Sequence, residues 1–162
     1  MKKLFPLIIC VLLLGSSCTQ QSTELNNDQK ATIITEVTSQ MDGIQSAINK
    51  LDINAWSEFW SKDEFISVNS GINYFDNRSV WIDSVTYWWS KLESRSVESQ
   101  KRVITPFTNN LALAINIVKG EDLLKSGEKN NFMALITEIW KKEPNGWMII
   151  NFHESWQAKI EE

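Results

Sequence analysis

Apolar residues recur along this chain at two spacings. Ile33, Ile34, Val37, Met41, Ile44, Ile48 and Leu51 follow one another mostly at intervals of three and four, one stripe of an amphipathic helix. Asn27 and Asp28 offer N-caps before it, and Gly43 weakens it slightly. Asp52 or Asn54 caps a short second helix with Ala55, Trp56, Phe59 and Trp60 on its inner side. Glu64 to Asn69 reads as a strand, Ser70-Gly71 as a turn and Ile72 to Phe75 as a short return. Asp76 or Asn77 opens a third helix. Its stripe is Trp81, Val85, Trp88 and Leu92, widened by Tyr87 and Trp89.

From Val97 the spacing becomes two. Val97, Ser99, Lys101, Val103, Thr105 and Phe107 alternate, Asn109-Asn110 turns, and Leu111, Leu113, Ile115 and Ile117 alternate again. Gly120 to Asn130 is polar with two glycines and reads as a loop. Asn131 to Lys142 and Trp147 to Gln157 then form a hairpin over Glu143-Pro144-Asn145-Gly146. Alternation in its second strand groups Asn151, His153 and Ser155 with Trp147 and Ile149. Met148, Ile150, Phe152 and Trp156 fall on the opposite face. A strand apolar on both faces is buried on both, which puts this hairpin at the centre of the sheet. Helices first and antiparallel strands after predict an α+β domain with helices on one sheet face.

The chain has 162 residues, enough for one domain with a sizeable core. Eight tryptophans favour cores, pockets and interfaces. A net charge of −4 argues against a nucleic-acid partner. One histidine and two cysteines cannot build a usual zinc or iron–sulfur site, so no metal or cofactor is expected.

Met1-Lys2-Lys3, the apolar run Leu4 to Leu14 and Gly15-Ser16-Ser17 make a secretory signal. With Cys18 directly after, the segment resembles a bacterial lipoprotein signal, although Gly15 stands where a leucine is usual and Leu14 lies one further back. The resemblance implies residues 1–17 as signal, a lipidated Cys18, a polar tether over 18–27 and a domain over 28–162. The domain would then be anchored to a membrane of the cell envelope, outside the cytoplasm. The alternative is a plain secreted protein cut near Ser17. Cleavage before Cys18 would move the net charge to −6 and leave no free thiol for nucleophilic or redox work.

The element order over about Asp28 to Gln157 resembles the SnoaL-like, or nuclear transport factor two-like, superfamily. So do Trp56-x-x-Phe59-Trp60 before a strand, the helix after Asn77-Arg78, and the ending Gly146-Trp147-x-Ile149 with His153-x-Ser155. This resemblance implies a cone: a curved antiparallel sheet wrapped round three helices from the N-terminal half, with a pocket at the open end. It also implies a frequent homodimer. Members include ketosteroid isomerases, polyketide cyclases, dehydratases and non-catalytic binding domains, so the fold does not decide the function. The isomerases carry a base near the end of the first strand. Val68-Asn69-Ser70 stands there, without a carboxylate.

His153 is the sharpest catalytic candidate, because a neutral imidazole can take a proton near pH 7. Glu138 shares a parity with Ile136 and Trp140 and could replace the missing base. Trp56, Trp60, Tyr74, Trp81, Trp88, Asn151 and Ser155 are the ligand-binding candidates, with Trp56, Trp60, Trp88 and His153 expected round one cavity. Three readings result: a cone binding a small apolar or aromatic molecule, an isomerase, dehydratase or cyclase using His153, and an interaction module. The dimer is expected through Met148, Ile150, Phe152 and Trp156.

Overall fold

The computed structural model describes residues 24–158. The signal, Cys18 and the tether up to residue 23 lie outside them. Helix α1 (Asn27–Asn49) starts from Asn26, whose side chain accepts from the Gln29 N–H at 2.8 Å while Gln29 answers to the Asn26 N–H at 2.9 Å. This reciprocal box satisfies two orphan donors, and sets the helix start one residue before the expected boundary. Ile33, Val37, Met41, Ile44 and Ala47 form its buried stripe. Gly43 is there for packing: a Cβ would lie 2.8 Å from the Phe59 ring.

Helix α2 (Ile53–Ser57) is capped by Asp52 on the Ala55 N–H at 3.0 Å. It ends before Trp60, which therefore does not share a helix face with Trp56. Residues 59–61 instead run beside the last strand, with Ile149 N–H donating to Phe59 O at 2.8 Å and Ser61 N–H to Ile149 O at 3.0 Å. Strands β1 (Ser67–Ser70) and β2 (Asn73–Phe75) reverse at Gly71, whose φ of 60° is easy only for glycine. Helix α3 (Arg78–Trp89) is capped by Asn77. It buries Trp81 and Trp89, eight residues and about two turns apart on one face, and leaves Trp88 38% exposed. The stripe thus runs through Trp89 rather than Trp88.

Four long strands follow: β3 (Leu92–Thr108), β4 (Leu111–Leu124), β5 (Lys129–Glu143) and β6 (Gly146–Ala158). The loop expected over 120–130 shrinks to residues 125–128. Gly120 lies within β4 because the Phe132 ring of β5 covers it, and a Cβ there would meet Phe132 Cζ at 2.3 Å. The order is β2-β1-β6-β5-β4-β3, so the β5–β6 hairpin is central as expected, but its outer face, where Leu135, His153 and Ser155 are exposed, is not buried. All pairs are antiparallel except β1 with β6, which run parallel.

One irregularity decides which residues face inward. Ile139 pairs with Asn151, but Trp140 pairs with Ile149, so Ile150 is an extra residue in β6. A bulge of this kind turns every later side chain to the other face. Trp147 and Ile149 face the helices before it; Phe152, Glu154 and Trp156 do so after it. The expected grouping of Asn151, His153 and Ser155 with Trp147 and Ile149 therefore fails. Phe152 and Trp156 likewise leave the outer face assigned to them, and Ile150 is buried. The outer apolar face is carried by other strands: Val103, Ile115 and Leu135 are 45%, 37% and 47% exposed.

Helix α1 is tied across the inner face at three levels. Glu36 accepts from Trp147 Nε1 and Lys142 Nζ, each at 2.7 Å; Asp42 accepts from Arg102 Nη1 at 2.8 Å; Asn49 exchanges two hydrogen bonds with the Val97 backbone. The helices and the curved sheet together make the expected cone.

Candidate functional site

Register puts the inner-face residues in rows. Arg102, Asn116, Ile136, Glu154 and Ser70 form one row across β3, β4, β5, β6 and β1. Ile104, Ala114, Glu138, Phe152 and Val68 form the next. Above these rows the helices leave a cavity of about 800 Å³, within the range that holds a small organic molecule. Met41, Ile44 and Ile48 of α1 and Val85 of α3 line it with Val97, Val118 and Ile136 of the sheet.

Aromatic rings close one wall. Trp60 lies 5.2 Å from Trp56, 5.6 Å from Trp81 and 5.4 Å from Phe152, centroid to centroid, all tilted or edge-on. Trp89 adds to Trp56 at 5.5 Å. Such geometry suits the ring quadrupoles and keeps the wall rigid. Two of these indoles, Trp60 and Trp81, have buried N–H groups without a hydrogen-bond partner.

Glu138 and Glu154 stand in the floor of the cavity, 5% and 7% exposed. Glu138 Oε2 accepts from Trp140 Nε1 at 2.9 Å. Burial pushes the Glu138 carboxyl up to about 7. The Trp140 N–H and the Arg102 charge oppose that rise, and the Glu154 charge adds to it. Glu154 accepts from the Ser70 hydroxyl. Burial raises it to about 7 as well, against the Ser70 hydroxyl, the Trp156 indole and the Arg95 charge. Two such neighbours titrate as a pair, so near neutral pH the floor holds both a proton donor and an acceptor.

Toward the mouth, Arg95 pairs bidentately with Asp122, Nε to Oδ1 at 2.6 Å and Nη2 to Oδ2 at 2.7 Å. Its guanidinium lies 5.3 Å from the Phe132 ring, which meets Trp156 at 4.9 Å. Asn116, in the row of Glu154, accepts from Ser99 Oγ at 2.5 Å.

Of the residues singled out from sequence, Trp56, Trp60, Trp81, Trp88 and Glu138 meet at this cavity. His153 does not: it is exposed on the outer face, paired in register with Thr137 and Asn69, because the bulge turns it away. Ser155 is exposed on that same face, and Asn151 is spent on Ser67, donating to its carbonyl at 3.2 Å and its hydroxyl at 2.8 Å. Tyr74 is 63% exposed and outside the lining. Glu154, Asn116 and the Arg95–Asp122 pair were not singled out. Among the described residues no group of three acidic, histidine or cysteine side chains could hold a metal ion.

No protein-family signature and no curated protein matches this sequence. Solved structures do match its fold. One is a candidate scytalone dehydratase from Novosphingobium aromaticivorans, 8% identical, with a TM-score of 0.76 over 85% of this chain and 93% of the other. A second is an NTF2-like superfamily protein from Salmonella enterica, 19% identical, TM-score 0.71, over 81% and 95%. A third is a hexachlorocyclohexane dehydrochlorinase of the LinA type, 9% identical, TM-score 0.69, over 85% and 95%. The fold is therefore the NTF2-like cone.

Proposed function

We propose that this chain is a lipid-anchored domain of the bacterial cell envelope whose cone binds a small, mainly apolar molecule. The observation that carries the reading is the cavity of about 800 Å³ with an aromatic wall and two buried carboxyls on its floor. Apolar burial at roughly 25 cal/mol per Å² would supply the affinity, and the carboxyls would fix orientation. Native mass spectrometry of the protein purified from its own membranes tests this. A co-purified small molecule is expected in the wild type and none in Ile136→Trp, which fills the cavity. A wild type that carries nothing and takes up no aromatic probe would sink the reading.

The anchor rests on the resemblance of Met1 to Cys18 to a lipoprotein signal. Cys18→Ser should move the protein from the membrane to the soluble fraction; continued membrane retention would count against it. We also infer a homodimer. The support is the outer sheet face, where Val103, Ile115 and Leu135 leave apolar surface in water.

A catalytic reading has one observation in its favour: Glu138 and Glu154 are held near the pKa that proton transfer at neutral pH needs. In it the ionised carboxyl takes a proton from bound substrate and the protonated one returns it elsewhere, the chemistry of an isomerase or lyase. The three structures above include proteins named for elimination reactions. His153 has no part in this reading, being on the far side of the sheet.

A further inference from the structure

The charges in the cavity wall do not balance. Arg95 is consumed by Asp122 in a bidentate pair. Arg102 is engaged with Asp42 of α1 at 2.8 Å. Lys129, at the mouth, is paired with Glu121 at 3.3 Å. Among the described residues no ion pair reaches Glu138 or Glu154. Glu138 Oε1 receives no hydrogen bond from any described residue, although the side chain is almost wholly enclosed and lines the cavity. That oxygen opens on the cavity and is free to accept from a donor that enters.

We propose that the ligand of this cavity is an organic cation, an amine or quaternary ammonium compound with an apolar body. Its charged head lies over the floor between Glu138 and Glu154, and its body lies against Trp56, Trp60 and Trp81. This rests on the small-molecule reading and names the chemical class that the reading leaves open. Register supports the placement. Glu138 faces Phe152 while Glu154 faces Ile136, so the two carboxyls are diagonal neighbours on adjacent strands, with Cβ atoms about 7–8 Å apart at most. That span admits one ammonium head between them. The rings complete the match, since Phe152 beside Glu138 meets Trp60 at 5.4 Å and Trp81 at 6.3 Å, and aromatic faces attract cations. A bare metal ion is a poor occupant, because hard cations require six or more oxygens and this floor offers two carboxyls among indoles. An anion would face two acids that no ion pair among the described residues reaches. The net charge of −4 favours approach of a cation from solution.

Titration calorimetry of the full chain with two probes of one shape decides the matter. Phenyltrimethylammonium carries the charge; tert-butylbenzene is its neutral counterpart. At about pH 8, where the carboxyls are ionised, the cation is expected to bind about tenfold or more tightly than the hydrocarbon. The double variant Glu138→Gln, Glu154→Gln should lose that preference and still bind tert-butylbenzene, which also shows that it is folded. Equal or tighter binding of tert-butylbenzene by the wild type overturns the cationic assignment and leaves the small-molecule reading standing. So does a preference that survives in the double variant. If neither probe binds the wild type, both readings fall.

Discussion

Replacing Glu138 by Gln should stabilise the protein in alkali and leave it unchanged in acid. Gln keeps the shape of the side chain and an oxygen for the Trp140 N–H, now at 2.9 Å, but cannot ionise. In the wild type burial holds the folded carboxyl up to about 7, against 4.5 for the free group. Below about pH 4.5 both folded and unfolded chains carry the proton, and Glu138 costs nothing. As pH rises, the unfolded chain ionises first and the folded one must follow while its carboxyl is buried. Stability from this group is therefore fully present in acid and lost as pH climbs through about 7. At ~1.4 kcal/mol per pH unit, that interval amounts to about 3 kcal/mol. Glu154 moves the same way, and its charge adds to the rise at Glu138. Urea unfolding of both proteins at several pH values between about 4 and 8 measures the difference. Curves that converge near pH 4 and separate by about 3 kcal/mol near pH 8 are expected. Parallel curves, or a variant that is less stable at pH 8, would refute the buried-carboxyl account.

Gly120→Ala should destabilise the fold by about 1–3 kcal/mol in the same assay, because the new Cβ meets Phe132 Cζ at 2.3 Å; the double variant Gly120→Ala, Phe132→Leu should recover part of that loss. His153→Ala should change stability by no more than about 0.5 kcal/mol and leave ligand binding unaltered, since the imidazole is exposed on the face away from the cavity. A large loss of binding would return the histidine to the site. Leu135→Glu, at a 47% exposed position on the outer face, should convert a dimer to a monomer in sedimentation equilibrium by burying unpaired charge in the interface. A dimer that persists would place the interface elsewhere.

The fold was legible because its signals are local. The stripe from Ile33 to Ile48, the caps at Asp52 and Asn77, and the turn after Glu143 each specify an element from a few residues. Glu138 was legible too, because β5 alternates without interruption and its parity holds from Phe132 to Trp140. The site as a whole was not, because β6 carries the bulge. A bulge is a long-range event: the backbone at residues 149 and 150 shifts to accept the segment 59–66, through Ile149 to Phe59 and Ile66 to Ile150 O at 2.7 Å. Nothing at residues 149–150 alone announces that segment. The composition did hold a trace of it, since Trp147, Met148, Ile149 and Ile150 are four apolar residues in a row and a strand with strict alternation has no use for adjacent buried isoleucines at 1% and 6% exposure. Carrying the extra residue through the strand exchanges His153 for Glu154 at the cavity. It thereby replaces a lone histidine with a carboxyl pair, and moves the chemical question from imidazole to shared protons or a bound cation. The same shift explains why the apolar outer face is built from β3, β4 and β5 rather than from the last strand. One inserted residue thus sets both which groups enter the cavity and which strands carry the apolar outer face.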